Sequence, residues 1–295
     1  MMTNKKQKFV INDTNFGAFI LTHGRPDKQD TITALRRQGY TGKIYLIIDD
    51  QDTKGAEYYK NSDADDVFCI NSAEVAKTLD ICDSMGHYNS VVYKRMASFD
   101  IAERLGITYF IQLDDDYHAF YYRRKRGKHL DAIRIKDLNK VFEVMIEWME
   151  TSNADTVAMA QGGELIGGIG SALARNEVRR KAMNSWMLKT DRRLQFIGRL
   201  NDDVNTYVMN GIWGKLIMTP YCLSLAQGQT QFVEGGMTSL YLDTGTYMKS
   251  FYTVMMAPSC VSVRRLGPTH PRAHHHIEWN NCVPKIINEA HRKPR

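Results

Sequence analysis

Three consecutive carboxylates, Asp114, Asp115 and Asp116, follow the apolar run Ile107-Thr-Tyr-Phe-Ile-Gln-Leu113 and precede Tyr117. The run has the apolar, β-type character of a buried strand, and open α/β sheets bind ligands at the carboxyl ends of such strands. Adjacent acids repel one another. A fold that gathers them at a strand end offsets the repulsion with a cation, and oxygen ligands suit a divalent one. The chemistry expected here joins a metal to a phosphate, with a solvated acidic turn as the competing reading.

Two earlier segments fit that chemistry. Thr22-His-Gly-Arg-Pro-Asp27 lies between a predicted strand and a predicted helix, where Thr22, His23 and Arg25 could offer a nucleotide diphosphate backbone amides and a cation. Its Gly and Pro also suit a plain turn. Asp49-Asp50-Gln-Asp52 ends the next predicted strand, and Asp49 or Asp50 could accept hydrogen bonds from a ribose or a uracil imide. A solvent-facing turn explains the same residues. Arg95 on a later helix could reach phosphates, although helical arginines are more often at the surface.

The elements that must position these residues alternate. Strand-like Gly17 to Leu21, a helix around Thr31 to Gln38, strand-like Lys43 to Ile48, a helical turn near Ala56 to Lys60 and strand-like Val67 to Ile70 give a βαβαβ rhythm and a parallel sheet. A helix over Ser90 to Leu105, with Val91, Met96, Phe99, Ile101 and Leu105 on or near one face, leads into the acidic strand. Beyond it, His118 to Ile135 reads as an inserted hairpin turning at Gly127. Leu138 to Met149 reads as an amphipathic helix and Asp155 to Ala160 as a strand. The glycine-rich Gln161 to Gly170 reads as a mobile loop beside a site or as a connector, lacking the pattern of a P-loop or dinucleotide fingerprint.

With 295 residues, 43% hydrophobic and 24% charged, the chain has an ordinary globular composition and room for a sizeable core. No run has the length or apolarity of a signal peptide or a spanning helix, so a cytosolic, membrane-free protein is expected. Five widely spaced cysteines without a Cys-x-x-Cys pair argue against a disulfide framework or a cysteine zinc site. The net charge of +6 is unevenly spread, with basic runs at 123–126, 179–181, 192–193, 264–265 and 291–295 that are compatible with a polyanion.

The order Thr-His-Gly-Arg-Pro-Asp, Asp-Asp, a helix with Arg95 and a strand ending Leu113-Asp-Asp-Asp resembles the donor half of GT-A glycosyltransferases. The resemblance implies a Rossmann-like, mostly parallel central sheet flanked by helices. Residues 1–117 would form the nucleotide-sugar-binding half and 118–295 the acceptor-binding, catalytic half of one continuous domain. In that fold an Asp-x-Asp motif and a divalent metal, Mn2+ or Mg2+, hold the diphosphate of a nucleotide sugar. Alternation along a strand puts Asp114 and Asp116 on one face and Asp115 on the other. Asp116 is then the expected metal ligand, with Asp114 near the metal or the ribose and Asp115 on the nucleotide-sugar side.

Phe196-Ile-Gly-Arg-Leu-Asn-Asp-Asp-Val-Asn205 resembles the GT-A region that supplies a catalytic acid at a helix start, here Asp202 or Asp203, although either could be a helix cap. A C-terminal histidine completes the metal shell in many GT-A enzymes. The run His270 to Trp279 offers His274 and His276, which share a face if extended; a separate zinc site or surface histidines are the rivals.

A narrower resemblance covers most of the chain. Thr22 to Asp27, Ile44 to Asp52, Arg95 to Tyr117, Gly198 to Val204, Gly235 to Tyr241 and His274 to Ile287 are similar to blocks of the TET-associated glycosyltransferases, a phage and bacterial family linked to hypermodified DNA pyrimidines. The resemblance implies sugar transfer from a nucleotide sugar, with UDP the expected carrier, to the hydroxyl of 5-hydroxymethylcytosine or another 5-hydroxymethylpyrimidine in DNA. Arg264 and Arg265 are candidate DNA contacts. Rival readings are a GT-A enzyme acting on a protein or glycan, a metal-dependent phosphohydrolase or nuclease, and a DNA-binding module without catalysis.

Overall fold

Apolar strands alternate with helices in the order β1 (Phe16–Leu21), α1 (Asp30–Arg37), β2 (Lys43–Asp49), α2 (Gly55–Asn61), β3 (Asp66–Ile70), α3 (Ser72–Ala76), α4 (Val91–Arg104), β4 (Tyr109–Asp114). The chain continues through β5 (Tyr117–Arg126), β6 (His129–Arg134), α5 (Leu138–Ser152), β7 (Thr156–Val157), β8 (Ala160–Gln161), α6 (Ala172–Asn176), β9 (Val178–Arg179) and β10 (Ser185–Lys189). It closes with α7 (Asp202–Ile212), β11 (Ile217–Pro220), β12 (Leu223–Gln227), α8 (Thr238–Met256), β13 (Val261–Leu266), β14 (Arg272–Ile277) and α9 (Trp279–Cys282). The computed structural model describes residues 9–228, 238–266, 272–282 and 289.

The central sheet has the order β3-β2-β1-β4-β10-β7-β11-β9, and its first four strands are parallel. Their near-continuous apolar runs follow from burial on both faces. Ala18, Ile20, Leu46, Ile48, Ile111 and Leu113 pack with Ile32 and Leu35 of α1 and Phe142 and Met145 of α5. The alternate residues Phe19, Leu21, Ile47 and Phe110 pack with Val92, Phe99 and Ile101 of α4. This is the mixed α/β architecture expected of the sequence: a large central sheet flanked by helices. No helix among the described residues is long and apolar enough to cross a membrane.

Helix α4 departs from its expected face. Leu105 is 36% exposed, whereas Lys94 and Arg95 are buried at 3% and 2%. The sheet covers one side of the helix and the segment around Phe196, whose backbone N–H meets Met96 Sδ, covers another, so a single apolar stripe does not describe it. The glycine-rich 161–170 stretch is not an open loop but two short 3-10 turns, with Gln161 N–H donating to Glu164 Oε2 at 3.0 Å.

The β5–β6 hairpin turns at Gly127, whose φ of 57° lies in the left-handed region that glycine tolerates. Its base is tied to α1 by the buried Gln38. The Gln38 amide donates to the carbonyls of Phe120 and Ile135, each at 2.8 Å, and accepts from Phe120 N–H at 2.9 Å. Gln38→Ala strands two buried backbone groups, Phe120 N–H and the Ile135 carbonyl, while the Phe120 carbonyl keeps Ile135 N–H at 3.0 Å. We expect a loss of roughly 2–4 kcal/mol in a urea titration, from the cost of leaving such groups unpaired; a loss below about 0.5 kcal/mol would show that water or repacking replaces the amide.

Candidate functional site at the sheet switch point

Chain direction across the sheet reverses between β1 and β4. From β1 the chain moves outward through β2 and β3, then returns to place β4 on the other side of β1. The carboxyl ends of two such strands splay into a crevice where open α/β sheets take ligands. Leu21 is in register with Asp114, so Thr22 to Arg25 and Asp114 to Asp116 enter that crevice side by side.

Strand β4 stops at Asp114, and Asp115 and Asp116 lie in the turn before β5. Alternation along an extended strand therefore does not assign the three faces. Asp114 turns toward Arg95, with its Oδ1 3.3 Å from Arg95 Nη2. Asp115 accepts a 2.5 Å hydrogen bond from Thr22 Oγ1, and its other oxygen lies 2.9 Å from Arg25 Nη2, outside hydrogen-bond angles. Asp116 sits in the field of Arg25, His118 and Asp30. The first turn of α1 holds this turn's backbone: Thr31 N–H donates to Asp115 O and Thr31 Oγ1 to Asp114 O, at 3.1 and 2.6 Å.

Arg95 joins this strand end to the start of α7. Its Nε donates to Asp202 Oδ2 at 2.8 Å while Nη2 meets Asp114. Asp203, half-buried, accepts from Val204 N–H at 2.8 Å. Asn201, at φ 57°, sets the entry to the helix and donates from Nδ2 to Thr253 Oγ1 at 2.6 Å. Just upstream, Gly198 has φ +81°, and a Cβ there would stand 2.3 Å from Asn205 Nδ2, so the approach to α7 requires glycine.

The charges are unbalanced. Asp114, Asp115, Asp116, Asp202 and Asp203 face two guanidiniums, Arg25 and Arg95, and the Lys249 ammonium near Asp202. Burial pushes the Asp114 carboxyl up to about 7; Arg95 opposes this and the neighbouring acids reinforce it. Burial likewise lifts Asp115 to about 6, against Arg25 and the Thr22 hydrogen bond. Asp116 and Asp202 are raised, first by burial. Asp115 Oδ1 and Asp116 Oδ1 are buried acceptors with no hydrogen-bond donor, and Arg25 Nε and Arg95 Nη1 are buried donors with no acceptor. Native folds leave few such atoms. Acceptors of this kind suit a cation and donors suit phosphate oxygens, so the residues fit a metal–diphosphate pair.

The second strand end is built differently from expectation. Asp49 is 1% exposed and turned inward, where it is paired with Lys94 and lies 3.0 Å from His23 Nδ1. Burial raises its carboxyl, but His23 and Lys94 outweigh this and hold it at about 2. Asp50 is exposed and accepts from Ser72 N–H at 3.1 Å. Asp52 accepts from Gly24 N–H at 2.6 Å, fixing the Thr22–Arg25 loop.

On the β13–β14 ribbon the register pairs Arg264 with His274 and Ser262 with His276 on one face. His276 Nε2 and Arg264 Nη2 both approach Glu278 Oε1, at 3.0 and 2.6 Å, and Arg265 is exposed. The histidine that meets the α7 entry is His275, its Nδ1 3.2 Å from Asn201 Nδ2. Burial, aided by His274 and opposed by Asp203, pulls its imidazole down to about 4. Among the described residues no group of three or more His, Cys, Asp or Glu is gathered tightly enough to hold a metal ion, so Asp114 and Asp116 are not brought to His274 and His276.

A family model for the TET-associated glycosyltransferases matches residues 16–236, well over half of the 295-residue chain. The chain belongs to this family. It is thus a glycosyltransferase, and the matched TET-associated glycosyltransferase region takes in the crevice, Arg95 and the start of α7. No curated protein sequence matches. Among solved structures, one described as a UDP-N-acetylglucosamine pyrophosphorylase from Entamoeba histolytica aligns over 92% of this chain and 72% of its own at 9% identity and a TM-score of 0.31.

In this TET-associated glycosyltransferase, sequence reasoning missed Thr31, Asp52, Lys94, Asn201 and His275. Thr31 and Lys94 each had a signal: a threonine in the first turn of a helix behind a strand, and a lysine beside Arg95 in the largely apolar first half of its helix. Asn201 and His275 act through tertiary contacts that no local pattern encodes.

Arg95→Met removes the shared partner of the half-buried Asp114 and the buried Asp202, and breaking a buried pair costs roughly 3–5 kcal/mol. A carboxyl raised to about 7 favours the folded state below its unfolded value near 4, and that contribution is lost as pH rises through about 7. Destabilisation by Arg95→Met should therefore be larger at pH 7.5 than at pH 5, where the acids take up protons. Denaturation curves showing an equal or smaller loss at pH 7.5 would contradict this placement of charge.

Proposed function

We propose that the protein moves a sugar from a nucleotide sugar, with UDP as the carrier, to the hydroxyl of a 5-hydroxymethylpyrimidine in DNA, 5-hydroxymethylcytosine being the first candidate, and that it does so with Mn2+ or Mg2+. Membership of the TET-associated glycosyltransferases supports the acceptor, since the family is linked to hypermodified DNA pyrimidines. The observation that carries the donor reading is the set of buried atoms without hydrogen bonds, Asp115 Oδ1, Asp116 Oδ1, Arg25 Nε and Arg95 Nη1, where β1 and β4 diverge. Five acids would repel a diphosphate, and a divalent cation reverses that field.

Asp116 and Asp114 are the proposed metal donors. When bound, the metal supplies Lewis-acid stabilisation of the departing diphosphate. Arg25 and Arg95 present their free N–H groups to phosphate oxygens, and Thr22 holds Asp115 so that Arg25 stays in the crevice. The loop carrying His23, anchored through Asp49 and Asp52, closes the nucleoside side, and Asp50 is the acid left at the surface for a ribose or base. In this reading residues up to 117 serve the donor and those beyond it the acceptor.

Asp202 is engaged by Arg95, which leaves Asp203 as the acid that receives the acceptor hydroxyl's proton in an inverting reaction or positions the acceptor in a retaining one. His275 stands over this helix start through Asn201. Arg264 and Arg265 remain proposed DNA contacts, the former through the guanidinium it shares with Glu278.

The test is mass spectrometry of nucleosides from 5-hydroxymethylcytosine duplex DNA incubated with protein, Mn2+ and a panel of UDP-sugars. We expect a glycosylated nucleoside. Asp203→Asn should lower kcat by about 10²- to 10⁴-fold, the range for loss of a general base, with donor binding retained, and Asp116→Asn should abolish metal-dependent donor binding. Transfer to a protein or glycan but to no modified base would overturn the acceptor assignment. An Asp203→Asn enzyme of full activity would overturn that residue's role.

A further inference from the structure

The chain's net charge is held in one place. Seven of its 39 Lys and Arg residues and one of its 33 Asp and Glu residues lie between Arg123 and Lys136, so this segment holds the whole +6 and the rest is balanced. The segment is the outer part of the β5–β6 hairpin and the residues that follow it. Strand β12 pairs with β5 only up to Tyr122, so beyond that point the hairpin runs out as two strands.

The two faces of the hairpin differ. On one, Leu130 packs with Ala160, Leu165, Leu173 and Tyr221, and Lys125 lies 4.6 Å from the Tyr221 ring centre and 2.9 Å from Glu177. That face braces the arm against the body. The register places Tyr122 opposite Ile133, Arg124 opposite Asp131 and Arg126 opposite His129 on the other face. There the Arg124 and Arg126 side chains are 66% and 71% exposed, and Tyr122 and Ile133 are 41% and 39% exposed. Asp131 is the only acid on it.

We infer that this free face docks the sugar-phosphate backbone of duplex DNA, with Arg124, Arg126 and Lys128 against phosphates and Tyr122 and Ile133 against the sugars. The inference rests on DNA being the acceptor. Charge complementarity selects a polyanion, and geometry selects an extended one. The exposed stretch of β5 from Tyr122 to Arg126 at roughly 3.4 Å per residue spans about 15 Å, close to half a turn of B-DNA. The arm starts at the turn that holds Asp116, so a duplex lying along it passes the catalytic crevice. Contacts of this kind position without reading sequence.

The test compares wild type with Arg124→Gln/Arg126→Gln/Lys128→Gln, using fluorescence anisotropy with a short labelled duplex over a series of KCl concentrations. All three side chains are solvent-exposed and outside the donor crevice. We expect at least a tenfold loss of duplex affinity near 0.1 M salt and a salt slope shallower by about 2–3, at roughly 0.9 per lost phosphate contact. UDP-sugar binding, kcat at saturating DNA and the melting temperature should be unchanged, with KM for DNA raised. If wild type binds the duplex and the triple variant binds it with the same affinity and slope, the hairpin is not the docking surface and the DNA reading stands. The docking surface falls in the same way if the variant loses only binding to phosphatidylserine vesicles. If wild type shows no duplex affinity at low salt, both the docking surface and the DNA acceptor fall.

Discussion

A single buried guanidinium connects the two halves of the site. Arg95, 2% exposed, contacts Asp114 at the end of β4 and Asp202 at the start of α7, elements separated by most of a hundred residues of sequence. Burying three charges is costly, and a network of this kind persists only with good geometry and partners for its remaining donors. Arg95 still has Nη1 without an acceptor. The ion triad therefore fixes where the strand end sits relative to the helix while leaving one donor for a ligand.

Everything else in the crevice follows from holding acids close together. Thr31 clamps the backbone of the acidic turn, Thr22 and Arg25 take Asp115, and Asp49 with Lys94 stiffens the neighbouring strand end. The carboxyls of Asp114 and Asp115 are raised first by burial, and the neighbouring acids add to it against Arg95 and Arg25. A metal–diphosphate pair would supply both the missing positive charge and the missing acceptors. On the opposite side, Asn201 carries the helix start toward Thr253 and His275, so that side of the crevice is shaped by the C-terminal elements rather than by the sheet.

The switch-point crevice was legible because strand periodicity, turn residues and the Asp-Asp-Asp run are local signals. β1 to β4 and the hairpin at Gly127 fall where the pattern put them. Side-chain direction was less legible. A strand's alternation holds only while it is a strand, and β4 ends one residue into the acidic run, so the pattern does not set the direction of Asp115 and Asp116. Asp49, read as a nucleoside contact, turned inward because Lys94 lies beneath it, a partner 45 residues away. His275 rather than its neighbours met the α7 entry because β13 sets the register of β14, a tertiary choice that shifts every side chain by one face.

If the acid cluster at the switch point is a donor site, it binds a nucleotide diphosphate only together with a divalent cation. Isothermal titration of a UDP-sugar into the protein with Mn2+ and with EDTA tests this most directly. Saturable binding with Mn2+ and a loss of at least a hundredfold in EDTA are expected. Equal affinity in both would mean that Arg25 and Arg95 alone outweigh the five acids, and the site would not be the metal-dependent donor site described.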